Sequence, residues 1–393
     1  MKRTTLSIVF IIFLLTFGSS AHAQSGEWAR LNNEARLLYQ RAQYDQAIVL
    51  MKEALEVARK EWGNDHPNVA QTLNNLGLIY QDRGEYAQAE SLYKRSLAIW
   101  ESVLGPDSPE VAKGLNNLAE LYRTKGEYAN AEQLYKRSLA IWEKTFGPEH
   151  LDVATSLNNL ALLYKLQGRY AQAEPLYQRS LAVSEKVLGA SHPDVAISLN
   201  NLAGLYLEQG LYSKAEPLYS RSLTILERAL GPDHPRVARS LNNLGELYMS
   251  DGHYDLAKPL FKRSLVVLEA ALGPDHPDVA TTLNNLGSLY YAQSQFILAK
   301  PYLERSLAIW EKVLGPDHPH VALSLNNLAA LYEAQGQYAE AESLFTRSLT
   351  ILEKTLGPNH PKVIANLNNL AELYRKSGRE IEAAAMKKRA SVE

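Results

Sequence analysis

Leu73-Asn74-Asn75-Leu76 decides the fold, because the same four residues return at 115, 157, 199, 241, 283, 325 and 367, always 42 residues apart. A fixed period of about 20 to 50 residues marks an array built from one supersecondary unit, which buries its apolar face only against its neighbours. The 393-residue length therefore measures repeat number rather than a count of globular domains.

One repeat, residues 67–108, shows what the unit is. Leu73, Leu76 and Tyr80 fall at i, i+3 and i+7 with Ile79 beside them, one face of a helix, here helix A. At roughly 100° per residue, Asn74, Asn75, Leu78 and Gln81 fall on the opposite arc, so helix A is expected to turn them outward. Gly84 follows where a positive φ ends a helix at least cost, and it recurs at 126, 168, 210, 252, 336 and 378. Tyr86, Ala89, Tyr93 and Leu97 form a second apolar stripe, which predicts helix B from about 85 to Leu104. Ala89 recurs through Ala383, and a small residue at that place predicts the closest crossing of A and B. Gly105-Pro106-Asp107-Ser108-Pro109 then ends B, and copies such as 231–235, 273–277 and 315–319 read Gly-Pro-Asp-His-Pro. Proline suits the first turn of the next helix, and the aspartate or histidine ahead of it can accept that helix's free N–H groups.

Composition is that of an ordinary packed protein, 46% hydrophobic and 21% charged. Cysteine is absent, which excludes disulfides, thiolate metal sites and a cysteine nucleophile. Residues 1–23 stand outside the repeat: Lys2 and Arg3, an apolar run from Leu6 to Leu15, then Ala21-His22-Ala23. That order is expected of a bacterial secretory signal peptide cleaved before Gln24, since the run is short for a bilayer span. The expected location is periplasmic or extracellular, with no membrane span after cleavage. Without Lys2 and Arg3 the chain has 39 basic against 43 acidic residues and no basic run suited to phosphates, so nucleic acid is not an expected partner.

Asn75-Leu76-Gly77, Tyr80, Gly84, Tyr86 and Ala89 resemble the tetratricopeptide repeat. The 42-residue period, the long helix B and the Gly-Pro-Asp-His-Pro loop look most like the subtype found in kinesin light chains. The resemblance implies an all-α fold, a right-handed superhelical solenoid of antiparallel helix pairs, over about residue 27 to the end. The expected organisation is a degenerate capping repeat at 24–66, seven 42-residue units at 67–360, and a C-terminal helix pair and cap at 361–393. Glu34, Leu38 and Ala42 in the first unit, and Glu380 with Met386-Lys387-Lys388-Arg389 in the last, suit the polar outer faces of terminal repeats. Ser294 and Phe296 are milder departures that suggest a local irregularity. Only the module is expected to be shared with kinesin light chains, because no heptad segment precedes these repeats.

The repeated polar residues form no catalytic constellation by their spacing. His66, His150, His192, His234, His276, His318 and His360 recur, but equivalent atoms of stacked repeats lie on the order of 10 Å apart, whereas zinc needs ligands about 2 Å from one point. They read as loop and capping residues rather than a metal site. No phosphate loop, H-E-x-x-H helix or nucleophile elbow occurs, and nearly every polar residue has periodic copies, so no catalytic residue, metal or cofactor is expected. Trp100, Trp142 and Trp310 occupy equivalent helix B positions and read as packing residues.

The resemblance implies a protein- or peptide-binding groove lined by the A helices. It carries a main-chain-binding role onto Asn75, Asn117, Asn159, Asn201, Asn243, Asn285, Asn327 and Asn369, whose carboxamides each offer a donor and an acceptor. The alternative is that these asparagines hold neighbouring repeats together, in a structural spacer or self-associating array. Specificity is expected at positions that vary between repeats: Lys113, Glu120, Arg123, Lys165, Arg239, Glu246, Tyr291 and Glu372. Lys113, Arg123 and Lys165 together suggest a subsite for an acidic side chain or a carboxylate.

Overall fold

The computed structural model describes residues 26–391, so the expected signal segment lies outside the described residues. Those residues form 18 α-helices and no strand, in two units, one ending at His253 and the other starting at Tyr254. The first unit holds α1 (Gly26–Gln40), α2 (Tyr44–Trp62), α3 (Pro67–Asp82), α4 (Tyr86–Leu104), α5 (Pro109–Thr124), α6 (Tyr128–Phe146), α7 (Leu151–Leu166), α8 (Tyr170–Leu188), α9 (Val195–Glu208), α10 (Tyr212–Leu230) and α11 (Pro235–Ser250). The second holds α12 (Tyr254–Leu272), α13 (Pro277–Ala292), α14 (Phe296–Leu314), α15 (Pro319–Ala334), α16 (Tyr338–Leu356), α17 (Pro361–Lys376) and α18 (Glu380–Ala390).

Each A helix ends as its glycine dictates. Gly84 has φ 75°, its N–H bonds Gln81 O, and the next N–H, of Glu85, reaches back to Tyr80 O, both at 2.9 Å. This is the Schellman closure, which satisfies two carbonyls the helix leaves open. At Ser294 and Ala42 the same positive φ is kept without glycine, at 59° and 57°. The departure at Ser294 is therefore one of side chain; the backbone keeps the turn, and α14 starts at Phe296 where the repeat places it.

Histidine, not aspartate, caps the next helix. His66 Nδ1 accepts the Asn68 N–H at 3.1 Å, and His150, His192, His234, His276, His318 and His360 accept from the residue two ahead at 3.1 to 3.3 Å. The loop acid serves another partner: Asp107, Glu149, Asp275 and Asp317 pair with Lys144, Lys186, Lys312 and Lys354 of the following B helix.

Packing within a unit follows one rule. A and B helices of a repeat pack as a hairpin, each B helix packs on the next A helix, and successive A helices touch, as in α3 with α5 and α7 with α9. The expected crossing point is seen at Gly287: an added Cβ would sit 3.4 Å from Ala299 O and 2.6 Å from Leu303. In most repeats a B-helix serine ties the hairpin, with Ser96 Oγ donating to Ala70 O at 2.6 Å and Ser138 Oγ to Ala112 O at 2.8 Å. Trp100 and Trp142 lie in the core with Val111, Leu115, Val153 and Leu157.

One expectation needs correction. Asn75, Leu78 and Gln81 are buried rather than turned outward. Helix A is wedged between its own B helix, the preceding B helix and the next A helix, so its second arc is covered by protein. A one-face amphipathic reading describes a helix lying on a core, and these helices lie inside one.

The C-terminal basic run is tied down in part. Lys387 Nζ donates to Asn368 Oδ1 at 2.8 Å and Arg389 pairs with Glu353 at 2.5 Å.

Candidate functional site

The A helices carry the asparagine pairs on their second arc, where each helix faces the next. None of the eight groove asparagines is exposed: Asn75, Asn159, Asn243 and Asn285 are buried, and Asn117, Asn201, Asn327 and Asn369 are half-buried. Asn117 Nδ2 donates to Asn74 Oδ1 at 2.9 Å, Asn159 Nδ2 to Asn116 Oδ1 at 2.8 Å, and in the second unit Asn327 Nδ2 to Asn284 Oδ1 at 2.7 Å. Each bond joins one repeat to the one before it. The first asparagine of each pair, which the sequence reading gave no role, is the acceptor.

The ladder is incomplete around α9. Asn158 Oδ1 and Asn200 Oδ1 are buried and have no hydrogen-bond partner among the described residues. Asn158 Nδ2 turns to Ser198 Oγ at 3.4 Å instead. An unmet buried acceptor costs roughly 1 to 3 kcal/mol, so the ladder is weakest at these two rungs.

The varied positions are distributed unevenly. Arg123 does not stand open to an acidic ligand: its guanidinium forks onto Glu120, with Nε to Oε2 at 2.9 Å, and Tyr135 Oη donates to Glu120 Oε2 at 2.7 Å. Burial works against the Arg123 charge, and the Glu120 carboxylate outweighs it and keeps the guanidinium firmly charged. Lys165 is 3% exposed and lies 3.5 Å from Glu208 Oε1. Burial pushes its pKa down, while the carboxylates of Glu208 and of buried Glu246 on α11 oppose the shift. Lys113, half-buried on α5, makes no hydrogen bond or ion pair among the described residues. The three cations suggested as an acidic-ligand subsite are thus unlike: Arg123 is neutralised, Lys165 is enclosed with a carboxylate, and Lys113 alone is uncommitted. Residue type and spacing could not show this, because Glu120 reads as a second groove charge until it is seen to be Arg123's own partner.

The remaining positions fall elsewhere. Arg239, half-buried on α11, lines a cavity between α9 and α11. Tyr291 packs its ring 5.7 Å from Phe296, and Glu372 is held by Arg375 at 2.6 Å. Asp82, at the end of α3, accepts the Tyr39 hydroxyl; burial pushes its pKa up to about 6, with that bond opposing. No group of three or more histidine and carboxylate side chains suited to a metal occurs among the described residues.

Hairpins of antiparallel helices, stacked at a 42-residue step and closed by the same glycine and histidine devices, define a helical-repeat scaffold. The tetratricopeptide repeat matches at residues 29–102, 69–144, 110–186, 152–228, 194–265, 242–308, 278–354 and 321–391, and the chain belongs to that family. Its 42-residue unit is of the kinesin-light-chain-like type. The family is in general a scaffold for protein interaction, and that coarse function holds here. No curated protein matches the chain. Among solved structures it is similar to a Rap protein complexed with competence and sporulation factor, at 16% identity and TM-score 0.55 over 93% of this chain and 97% of that one. The apo form of RapI gives 19% identity and TM-score 0.54 over 73% of this chain and 98% of that one. A putative kinesin light chain with nearly identical TPR-like repeats from Podosopora anserina shares 27% identity, with TM-score 0.43 over 52% of this chain and 97% of that one. The two Rap structures speak for the fold alone.

Proposed function

We propose that the protein is an exported scaffold that holds extended segments of partner polypeptides against the A-helix layer of its first unit, by equilibrium binding and without catalysis. The observation that carries this reading is the pair of unmet acceptors at Asn158 and Asn200. A main-chain N–H satisfies such an oxygen whatever side chain it carries, which suits capture of varied sequences. Export rests on residues 1–23, whose charged start, apolar run and Ala-His-Ala end match a cleaved signal.

The completed rungs favour a second reading for the other asparagines. Asn117, Asn159 and Asn327 spend their amide nitrogen on the neighbouring repeat, as members of a spacer with an empty groove would.

A capture experiment separates the two. Residues 24–393 are compared with Asn158→Ala/Asn200→Ala in pull-downs from a periplasmic extract, with helicity checked by circular dichroism. Recovery of a partner by the parent and its loss by an equally helical variant supports binding at these rungs. Equal recovery by both moves function away from them, to other surfaces of a spacer.

A further inference from the structure

One place in the first unit departs from the tryptophan-bearing repeats in two ways at once. Trp100, Trp142 and Trp310 hold equivalent B-helix positions, where α8 carries Ser184 and α10, α12 and α16 carry Leu226, Leu268 and Leu352. The indole of Trp100 lies against the following A helix so closely that a methyl group on Gly114 would sit 3.1 Å from its ring. Ser240 is the counterpart of Gly114 beside Leu226. Where an indole would fill the space, a cavity of about 130 Å³ remains, with Ala196, Ile197, Leu226 and Ser240 in its walls and Asn200, Arg236 and Arg239 beside them.

The second break is at the start of α9. The loop reads Gly189-Ala190-Ser191-His192-Pro193, and the helix begins at Val195, whereas proline is the first residue of α3, α5 and α11. Arg236 reaches across to the unwound turn and donates to Pro193 O and Asp194 Oδ1, both at 2.9 Å. Its charge is matched there; Arg239 also lines the cavity, beside a wall that is mostly apolar, so size is the cavity's main selective property. Asn200, which lines the same cavity, has an unmet buried oxygen.

We propose that this cavity is a side-chain pocket for one aliphatic residue of leucine or isoleucine size, in the extended polypeptide of the proposed function, on which this inference rests. An apolar cavity of about 150 Å³ holds a benzene-sized group, so the smaller space here fits a branched aliphatic group and excludes an indole. The main chain of the same residue passes Asn200, whose carboxamide oxygen takes its N–H. Anchoring by one buried side chain and one main-chain bond fixes the register of the bound segment while its other residues stay variable.

The test uses small probes and the methyl spectrum of the full protein. N-acetyl-leucine N-methylamide is expected to shift the Ile197 methyl signal saturably. The glycine and tryptophan analogues are expected to bind at least about tenfold more weakly, as loss or excess of a pocket-filling group does. Leu226→Trp installs the residue that α4, α6 and α14 carry, and Trp142 and Trp310 already sit opposite Ser156 and Ser324, the counterparts of Ser240. That variant should keep its helicity and melting temperature and lose the leucine response; Leu226→Phe fills the space more gently and should do the same. Equal shifts with the glycine probe, no shift of Ile197 in the parent, or a response that survives in a folded, filled variant would overturn the pocket. A failed pocket with capture still lost in the Asn158 and Asn200 variant leaves the scaffold reading standing. A leucine response without any captured segment removes that reading instead.

Discussion

Asn117 and Asn74, 43 residues apart, join α5 to α3 through a single carboxamide bond of 2.9 Å. Removing it leaves Asn74 Oδ1 without that donor at the junction of two repeats. Asn117→Ala is expected to lower stability by about 1 to 2 kcal/mol, the cost of an unmet acceptor at a half-buried site. Asn201→Ala, at a rung without such a bond, should cost less than about 0.5 kcal/mol. Urea midpoints of the two variants check this, and equal losses would remove the distinction between the rungs.

The histidine caps predict a side-chain hierarchy. His66→Ala removes the acceptor for the Asn68 N–H and should cost about 1 kcal/mol, whereas His66→Asn retains a capping oxygen and should cost little. Ser108 already replaces histidine at this place in the chain and caps Val111 N–H at 3.4 Å. Thermal unfolding of the two variants reads the difference.

The neighbouring His320, inside α15, gives a pH dependence of known sign. Burial, with Lys362 adding to it, pushes its pKa down from 6.5 to about 3, and its ring stacks 4.6 Å from Trp310. The unfolded chain therefore binds the proton more readily than the folded one. Its contribution to stability is complete above pH 6.5 and is lost as pH falls toward about 3. His320→Gln should flatten the fall of melting temperature across that window; an unchanged slope would assign the acid sensitivity to other groups.

Asp82 works in the opposite direction. Its pKa is raised from 3.8 to about 6, so its contribution is complete below 3.8 and is lost as pH rises through about 6. Asp82→Asn keeps an acceptor for Tyr39 and removes the charge. It should stabilise the first unit by roughly 1 kcal/mol at pH 8 and change little at pH 4. Denaturation curves at the two pH values decide it, and a loss at pH 8 would mean that the Asp82 charge is stabilising.

Ser294 holds φ 59° at a turn that glycine fills in most repeats. Ser294→Gly relieves a left-handed strain of about 1 kcal/mol, offset in part by the greater freedom of glycine in the unfolded chain. The melting temperature should rise slightly, and a fall would show that the serine side chain supports the turn.

Much of the architecture is local, and that part was legible in the sequence. The 42-residue return of Leu-Asn-Asn-Leu, the glycine after each helix A, the proline and histidine before the next and the paired apolar stripes each act over a few residues of backbone. Their physics is complete within one repeat. What each repeat does to its neighbours was not legible. The period says that every repeat has the same asparagines, but bond distances between stacked helices decide that Asn117 and Asn159 close rungs while the oxygens of Asn158 and Asn200 stay open. The same distances close Arg123 onto Glu120, enclose Lys165 beside Glu208, and turn Leu226 into a cavity. Repetition specifies the contacts that all repeats share; a single altered residue changes a volume or a hydrogen bond by an amount that only the packed neighbours set.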